Sequence, residues 1–381
     1  MRILNVNATM DPVWGGGSAE RVRCLSSALA RLGHSVTVLT THVDREPSKM
    51  PHVEGVQVVA LRCLNQRFML PLTPIGPMRD LVRAQDIVHL SGHWTVLNAL
   101  VYILCKLEDK PYAVSPVGTL PRFGRSRQLK AIYNAVVGRA MIRNASAKVA
   151  VTHTEIPQFA EYGVPARGIT VIPNGVDREA FEEVDPMLFR KKYNVLKGPL
   201  ILFMGRLNSI KGPDLLLTGF ARIAAAFPAY QLVFAGPNEG MEADLRQSAQ
   251  QAGIADRVHF TGYVGGREKV AAYRAAALLA IPSRMEAMSI VVLEGGAAGT
   301  PVLITDQCGF EILEQIGGGK VVAANADAIA NGLASMLSQP EKLTCAGRKL
   351  QELVQRDFTW DVAAVKLAAL FQAVVLASDA R

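Results

Sequence analysis

Leu200-Ile201-Leu202-Phe203-Met204-Gly205-Arg206-Leu207-Asn208-Ser209-Ile210-Lys211-Gly212 decides the architecture. An apolar run of strand length is followed by a short polar loop and then by apolar residues at helical spacing from Leu215 to Phe220. Strand, loop and helix in that order build parallel α/β sheets. Two cations, Arg206 and Lys211, stand in the one loop. A guanidinium offers a planar fork and an ammonium a compact charge, while the helix start adds free N–H groups at the positive end of its dipole, so the loop suits phosphate.

Downstream, Ser283 to Asp306 repeats the pattern. A strand over Ala277–Pro282 and a helix from about Ser289 to Ala298 place Glu286 in the turn and Glu294 on the helix, both toward the carboxyl edge of a sheet, where α/β proteins bind ligands. Each carboxylate can accept several hydrogen bonds from the hydroxyls of a ribose or hexose. The spacing alone also fits two solvated helix-face glutamates. The neighbouring Arg206 and Lys211 favour the ligand reading.

Working outward, strand-like runs at Ile3–Val6, Val36–Thr40, Val56–Leu61, Ile87–Leu90, Tyr112–Ser115 and Lys148–Thr152 alternate with helical patterns at Ser18–Leu32, Val96–Leu107 and Gln128–Arg143. A second series opens at Leu200 and continues through Gln231–Ala235, Val258–Thr261, Leu278–Ile281 and Val302–Thr305. Alternation of this kind predicts two Rossmann-like α/β domains. The turn punctuation of Ile172-Pro173-Asn174-Gly175-Val176-Asp177 puts the boundary near 176, giving domains over 1–176 and 177–358 and an amphipathic tail over 359–381.

A chain of 381 residues exceeds what one core usually serves. Met1-Arg2-Ile3-Leu4-Asn5-Val6-Asn7 reads as a first strand rather than a secretory segment, which makes cytoplasmic folding the expectation. The longest apolar stretches, Trp94–Cys105 and Val362–Ser378, read as shorter than the roughly 20 residues of a membrane span. Cysteines at 24, 63, 105, 308 and 345 are scattered and read as buried apolar fillers. No His-Glu-x-x-His or Asp-x-Asp pattern offers a divalent metal a seat, so metal-independent chemistry is expected.

Residues 1–180 hold 21 Lys+Arg against 13 Asp+Glu, leaving 20 and 20 of the total 41 and 33 for the rest, so the whole +8 lies in the amino-terminal half. Its densest piece, Arg122-Phe123-Gly124-Arg125-Ser126-Arg127-Gln128-Leu129-Lys130, reads either as a solvated helix entry or as a patch for anionic lipid or acceptor. One aromatic for base stacking argues against nucleic acid.

The segments Gly205–Gly212 and Glu286–Glu294, with Gly299-Thr300-Pro301-Val302, Gly15-Gly16-Gly17 and Glu20-Arg21, Gly33-His34-Ser35-Val36 and Ile172–Asp177, resemble the GT4 family of retaining glycosyltransferases in the expected order over nearly the whole chain. The resemblance implies the GT-B fold, two Rossmann-like domains facing a central cleft, with a final helix crossing back to the amino-terminal domain. It implies a nucleotide-diphosphate sugar donor, no cofactor, and a carbohydrate or lipid-linked carbohydrate acceptor, in surface polysaccharide or glycolipid assembly, with peripheral association at the inner face of a membrane. Arg206 and Lys211 would neutralise the leaving phosphate without a metal. Glu294 would take the ribose and Glu286 the hexose, helped by backbone amides at Met288 and Ser289. The Phe260–Val264 segment, with Tyr263, would lie against the base.

Glu286 as a catalytic base or nucleophile is left open by its spacing. Gly15, Gly16 and Gly17 would let the backbone approach a phosphate or acceptor, or serve only a tight turn. His89 and His93 fall where the family carries a histidine loop beside the sugar. Val117, in Ser115-Pro116-Val117-Gly118-Thr119, departs from the histidine many relatives have there, which raises the importance of His93. Thr154 reads as an N-cap in His153-Thr154-Glu155. Two other classes fit the residues less fully: a non-hydrolysing nucleotide-sugar epimerase, and a non-catalytic sugar-binding protein.

Overall fold

The computed structural model describes residues 1–11, 15–42, 52–64, 70–121, 126–181 and 184–380. Contacts divide the chain into two compact units, Met1–Asn174 with Trp360–Arg381, and Gly175–Thr359.

The first unit runs β1 (Arg2–Val6), α1 (Gly16–Arg31), β2 (Ser35–His42), β3 (Val56–Arg62), α2 (Ile75–Arg83), β4 (Ile87–Ser91), α3 (Val96–Leu107), β5 (Tyr112–Ser115), α4 (Arg127–Tyr133), one π-helical turn (Asn134–Gly138), α5 (Arg139–Arg143), β6 (Ala147–Ala150), α6 (Ile156–Ala160) and β7 (Ile169–Val171). Its sheet has the order β3-β2-β1-β4-β5-β6-β7. Neighbours are parallel, with Ile3 opposite both Val36 and Ile87. Central strands covered by helices on both faces need apolar residues at successive positions, and Ile3, Leu4, Ile87, Val88 and Leu90 are fully buried.

The second unit runs α7 (Met187–Lys192), β8 (Leu200–Met204), α8 (Pro213–Ile223), β9 (Gln231–Ala235), α9 (Glu242–Gln251), β10 (Val258–Gly262), α10 (Gly266–Ala275), β11 (Ala276–Ile281), α11 (Ile290–Ala297), β12 (Val302–Thr305), α12 (Ile312–Gln315), β13 (Gly319–Val322), α13 (Ala326–Leu337) and α14 (Pro340–Asp357). Its sheet is β10-β9-β8-β11-β12-β13. Both sheets are doubly wound. The strand order reverses between β1 and β4 in one and between β8 and β11 in the other, and at such a reversal the loops leaving the two central strands diverge and open a crevice for ligand.

The last helix, α15 (Trp360–Asp379), belongs to the first unit and packs on α1, burying Ala363, Ala364, Leu367 and Phe371. Arg31 Nη2 reaches Asp361 Oδ1 at 2.6 Å. Contrary to the sequence expectation, α15 is long and apolar enough by length and composition to cross a membrane, with a mean hydropathy of 1.7 over its best window. Lys366 and Gln372 do not break it, because both are good helix formers.

Other differences are local. The first helix begins two residues earlier than expected, at Gly16, and the predicted helix over Gln128–Arg143 is interrupted by the π turn. His153–Glu155 is a 3-10 turn, so Glu155 rather than Thr154 stands at the start of α6. Cys24, Cys63, Cys105 and Cys308 are buried, whereas Cys345 is exposed.

Candidate active site

In the second unit the loops after β8 and β11 meet at the switch point. Gly212 ends the first of them at φ +68°, and a Cβ there would stand 2.2 Å from the Pro282 carbonyl oxygen, so only glycine lets the β8 loop pass the end of β11. Arg284 then ties the loops together. Its amide donates to Ile210 O at 2.7 Å and its guanidinium grips Asp214 at 2.9 and 2.6 Å. That bidentate pair raises the Arg284 pKa, chiefly through its hydrogen bond to Asp214.

Lys211 Nζ lies 3.0 Å from Glu286 Oε1, and the Ser283 hydroxyl donates to the same oxygen at 2.5 Å. The Glu286 amide donates to Gln307 O at 2.9 Å, anchoring the turn on the loop after β12. Arg206 Nη1 donates to Glu239 Oε1 at 3.0 Å, and Asn208 Nδ2 to Glu239 Oε2 at 2.6 Å. Asn208 Oδ1 in turn accepts the Lys211 amide at 3.0 Å. One carboxylate therefore holds the arginine and the loop that carries the lysine. Arg206, Glu239, Lys211 and Glu286 keep partial access to solvent, from 37% for Arg206 to 10% for Glu286, whereas Ser283 is buried. Glu239, Asn208 and Arg284 were missed by the sequence reading, although Glu239 stands just past a predicted strand, where functional loops lie.

Glu294, on α11, sits in a second network. Lys269 Nζ and the Tyr273 hydroxyl, both from α10, donate to its two oxygens at 2.6 and 2.5 Å. Burial first, and then the Glu294 charge, push the Tyr273 pKa well up, so the phenol stays a donor. Met288 and Ser289 are buried. The Ser289 amide donates to Cys308 O at 3.1 Å, so that N–H is already engaged, and its buried hydroxyl lacks a partner among the described residues. Tyr263 is exposed at the end of β10.

In the first unit, Gly15 N–H donates to Asp11 O at 2.8 Å and caps α1, while Gly16 has φ +54° with open space at its Cβ position. Gly17 lies inside the first turn of α1. His89 is buried with both ring nitrogens engaged, Nδ1 with Asn5 Oδ1 at 3.0 Å and Nε2 with Ser115 Oγ at 2.7 Å. Burial and the nearby Arg21 bring its pKa down to about 3.

His93 is also buried, and burial lowers its pKa to about 4. Asn134 Nδ2 donates to the Tyr162 hydroxyl, so its Oδ1 accepts a hydrogen bond from His93 Nε2–H at 2.9 Å. The other nitrogen, Nδ1, is then a bare acceptor, and it has no partner among the described residues. Val117 sits at φ +53°, where a β-branched side chain is strained, and the next amide, Gly118 N–H, donates to the buried Glu155 carboxylate at 2.5 Å. Burial raises the Glu155 pKa, partly offset by its amide donors. Among the described residues, no group of three or more His, Cys, Asp or Glu side chains gathers.

Two doubly wound units with a phosphate-suited loop and a carboxylate turn at one switch point define a two-domain α/β sugar- or nucleotide-handling protein. Comparison with known proteins narrows this. Residues 15–180 match the model described as Glycosyltransferase Family 4, and residues 187–352 that described as Glycosyl transferases group 1. The D-inositol 3-phosphate glycosyltransferase of Segniliparus rotundus is 29% identical, covering 94% of this chain and 85% of its own. A GDP-mannose-dependent alpha-(1-6)-phosphatidylinositol monomannoside mannosyltransferase of Mycobacterium tuberculosis is 32% identical over 55% of this chain and 57% of its own. Among solved structures, Anabaena HepE in complex with UDP and glucose superposes with a TM-score of 0.78 at 18% identity, over 98% of this chain and 100% of its own. The chain belongs to the GT4 glycosyltransferases and has the GT-B fold.

Proposed function

We propose that this glycosyltransferase is a retaining, metal-independent enzyme that moves a hexose from a nucleotide-diphosphate sugar to a carbohydrate or lipid-linked carbohydrate acceptor. The observation that carries the reading is the convergence of Arg206, Lys211 and Glu286 at the switch point of the second sheet, held by Glu239, Asn208 and Ser283. Arg206 and Lys211 neutralise the charge that grows on the leaving phosphate. Cations preorganised in a partly desolvated site stabilise such charge without reorganising during the reaction. Glu286 accepts from hexose hydroxyls and Glu294 from the ribose diol, each fixed beforehand by its own donors.

The acceptor hydroxyl attacks C1 from the face that the phosphate leaves. The C1–O bond to the phosphate breaks as the new glycosidic bond forms, and a phosphate oxygen takes the hydroxyl proton. His93 Nδ1, a neutral acceptor, receives a hydrogen bond from a sugar hydroxyl, and the open backbone at Gly16, beside the crowded Gly15, approaches a phosphate or acceptor. Tyr263 and its neighbours lie along the base, and Met288 and Ser289 wall the sugar pocket. His89, with both nitrogens engaged, acts by positioning Asn5 and Ser115.

The setting proposed is surface polysaccharide or glycolipid assembly, in the cytoplasm, with peripheral association with an anionic membrane. The patch at Arg122–Lys130 supports this in part: Arg122 to Arg125 lie outside the described residues, but Leu129, Ile132 and Val136 are exposed beside Arg127 and Arg139. The test is a panel of nucleotide sugars scored by thermal stabilisation, followed by nucleotide release with and without acceptor and the anomeric configuration of the product. Acceptor-independent turnover would favour an epimerase, and loss of activity on chelation with rescue by a divalent ion would overturn the metal-free mechanism.

A further inference from the structure

The second unit carries a cleft of about 370 Å³ lined by none of the loop residues described above. It is lined by Arg178 and Phe181 from the segment that enters the unit, Arg274 from the end of α10, Gln351 and Gln355 from α14, and Thr359. Helix α10 follows β10 and precedes β11, so in a parallel sheet its last residues stand at the amino edge. Arg206, Lys211 and Glu286 stand at the carboxyl edge. Arg274 and the donor loops are therefore at opposite edges of one sheet.

Arg274 is half-buried, and among the described residues it forms no ion pair. Its Nη2 donates to Phe181 O at 2.6 Å, while Nε is buried without a partner among the described residues. A guanidinium taken out of water is normally matched by an anion or by full hydrogen bonding. Arg178 brings a second guanidinium with no ion pair among the described residues, and no carboxylate among the described residues lines the cleft. Gln351 and Gln355 stand four apart on one helix face, where their amides can act together. Gln351 is held by a 3.0 Å bond from Nε2 to Ala297 O. Two cations in one cleft suit a dianion, and a phosphate group carries about −1.5 to −2 at neutral pH. The amides and the Thr359 backbone region add polar partners of the kind that fix a small polar ligand.

The cleft also spans both passages of the chain into and out of this unit. Val176 N–H donates to Phe358 O at 2.9 Å, and Val176 pairs with Thr359 as an isolated parallel bridge. A ligand seated on Arg178 and Arg274 would bridge the entering segment to α10, and Gln355 would join it to the leaving one.

We propose that this cleft is a second anion site that binds the phosphate group of a small molecule, independently of the donor site. The probes are inorganic phosphate and a hexose 6-phosphate, titrated calorimetrically into the full-length protein and into the variants R206A/K211A, R178Q/R274Q and R178Q. Binding should persist in R206A/K211A. It should weaken about 10- to 100-fold for each arginine removed, the effect of losing a hydrogen bond to a charged group. R178Q changes an exposed side chain, so it keeps the test valid if R178Q/R274Q does not fold. Tighter binding of the hexose phosphate identifies an ester as the ligand, and equal binding identifies free phosphate. Loss of binding in R206A/K211A with retention in R178Q would place the anion at the donor loop and overturn the proposal, as would absence of binding to the unmodified protein. Because the readout is binding of phosphate rather than transfer of sugar, failure here leaves the transferase reading untouched.

Discussion

Lys211 and Glu286 are an ion pair, Nζ to Oε1 3.0 Å, contributed by the loops of two adjacent central strands. The pair joins the group assigned to the leaving phosphate to the group assigned to the hexose, so neither can be replaced without disturbing the other. Lys211→Ala and Arg206→Ala should each lower kcat/KM by about 100-fold or more, by analogy with the loss of one preorganised donor. Arg206→Lys should also be impaired, since an ammonium cannot reproduce the planar fork. Steady-state kinetics beside thermal denaturation checks this; near-normal turnover in a folded variant removes the residue from the mechanism.

Glu239 holds Arg206 Nη1 and Asn208 Nδ2 with its two oxygens, and Asn208 holds the Lys211 amide. It acts through these residues and is a positioning group. Glu239→Ala should cost about tenfold in kcat/KM, with Glu239→Gln recovering part of the loss because one amide oxygen still accepts. A pH profile unchanged by either variant, together with this partial rescue, distinguishes positioning from proton transfer.

The strands and the cation loop were legible because they are local: apolar runs of fixed length, and two cations before a helix. Leu200–Met204 and Val302–Thr305 lie where the apolar pattern puts them. The partners were not legible. Glu239 is 33 positions from Arg206, and Tyr273 is 21 from Glu294, so only the parallel stacking of β8 on β9 and of α10 beside α11 brings them together. The π turn was also invisible, because Asn134 is drawn inward by His93 and Tyr162, which are remote in sequence. Strand β13 was passed over because Gly319 and Lys320 break its apolar run.

Tyr273 donates to Glu294 from a buried position. Tyr273→Phe keeps the ring and removes that bond, leaving Lys269 as the remaining donor. The variant should lose about 1.5–3 kcal/mol of stability, the usual worth of a hydrogen bond to a charged group. Its affinity for a nucleoside diphosphate should fall by about tenfold if Glu294 holds the ribose. Urea unfolding and calorimetric titration with UDP and GDP measure the two effects separately; a destabilised variant with unchanged nucleotide affinity would take Glu294 out of the ribose contact.

The two buried histidines make stability fall in acid. Their folded pKa values, about 3 for His89 and about 4 for His93, lie below the ordinary value of 6.5. Below 6.5 the unfolded chain takes up protons that the folded one refuses, so the contribution is present above that pH and is lost as pH falls toward the folded values. Each histidine adds a slope of up to about 1.4 kcal/mol per pH unit. Glu155, raised by burial, has the opposite sign: its contribution is present at low pH and is lost as pH rises through its folded value. Comparing His93→Asn with the unmodified protein isolates one histidine. Urea unfolding at about pH 6 and about pH 5 should show a slope smaller by about 1 kcal/mol per unit in the variant; equal slopes would mean that His93 is charged in the folded protein.

Leu129, Ile132 and Val136 are 51%, 60% and 76% exposed on α4 and the π turn that follows it. They recur at helical spacing beside exposed Arg127 and Arg139, and an apolar stripe flanked by cations suits a helix lying at an anionic lipid surface. Lys130 is held over the Trp94 ring at 5.2 Å, which leaves Arg127 and Arg139 as the cations expected to meet lipid head groups. Association with vesicles containing phosphatidylglycerol should therefore have two parts. The charge part, about 1 kcal/mol per cation near the surface, should decline as salt is added. The apolar part should survive salt and be removed by Leu129→Ser/Ile132→Ser, exposed changes that leave the core intact. Co-sedimentation across a salt series, for the unmodified protein, this double variant and Arg127→Gln/Arg139→Gln, separates the two. Binding unaffected by either pair of changes would assign membrane contact to another face, and no binding would reduce the helix to an ordinary solvated one.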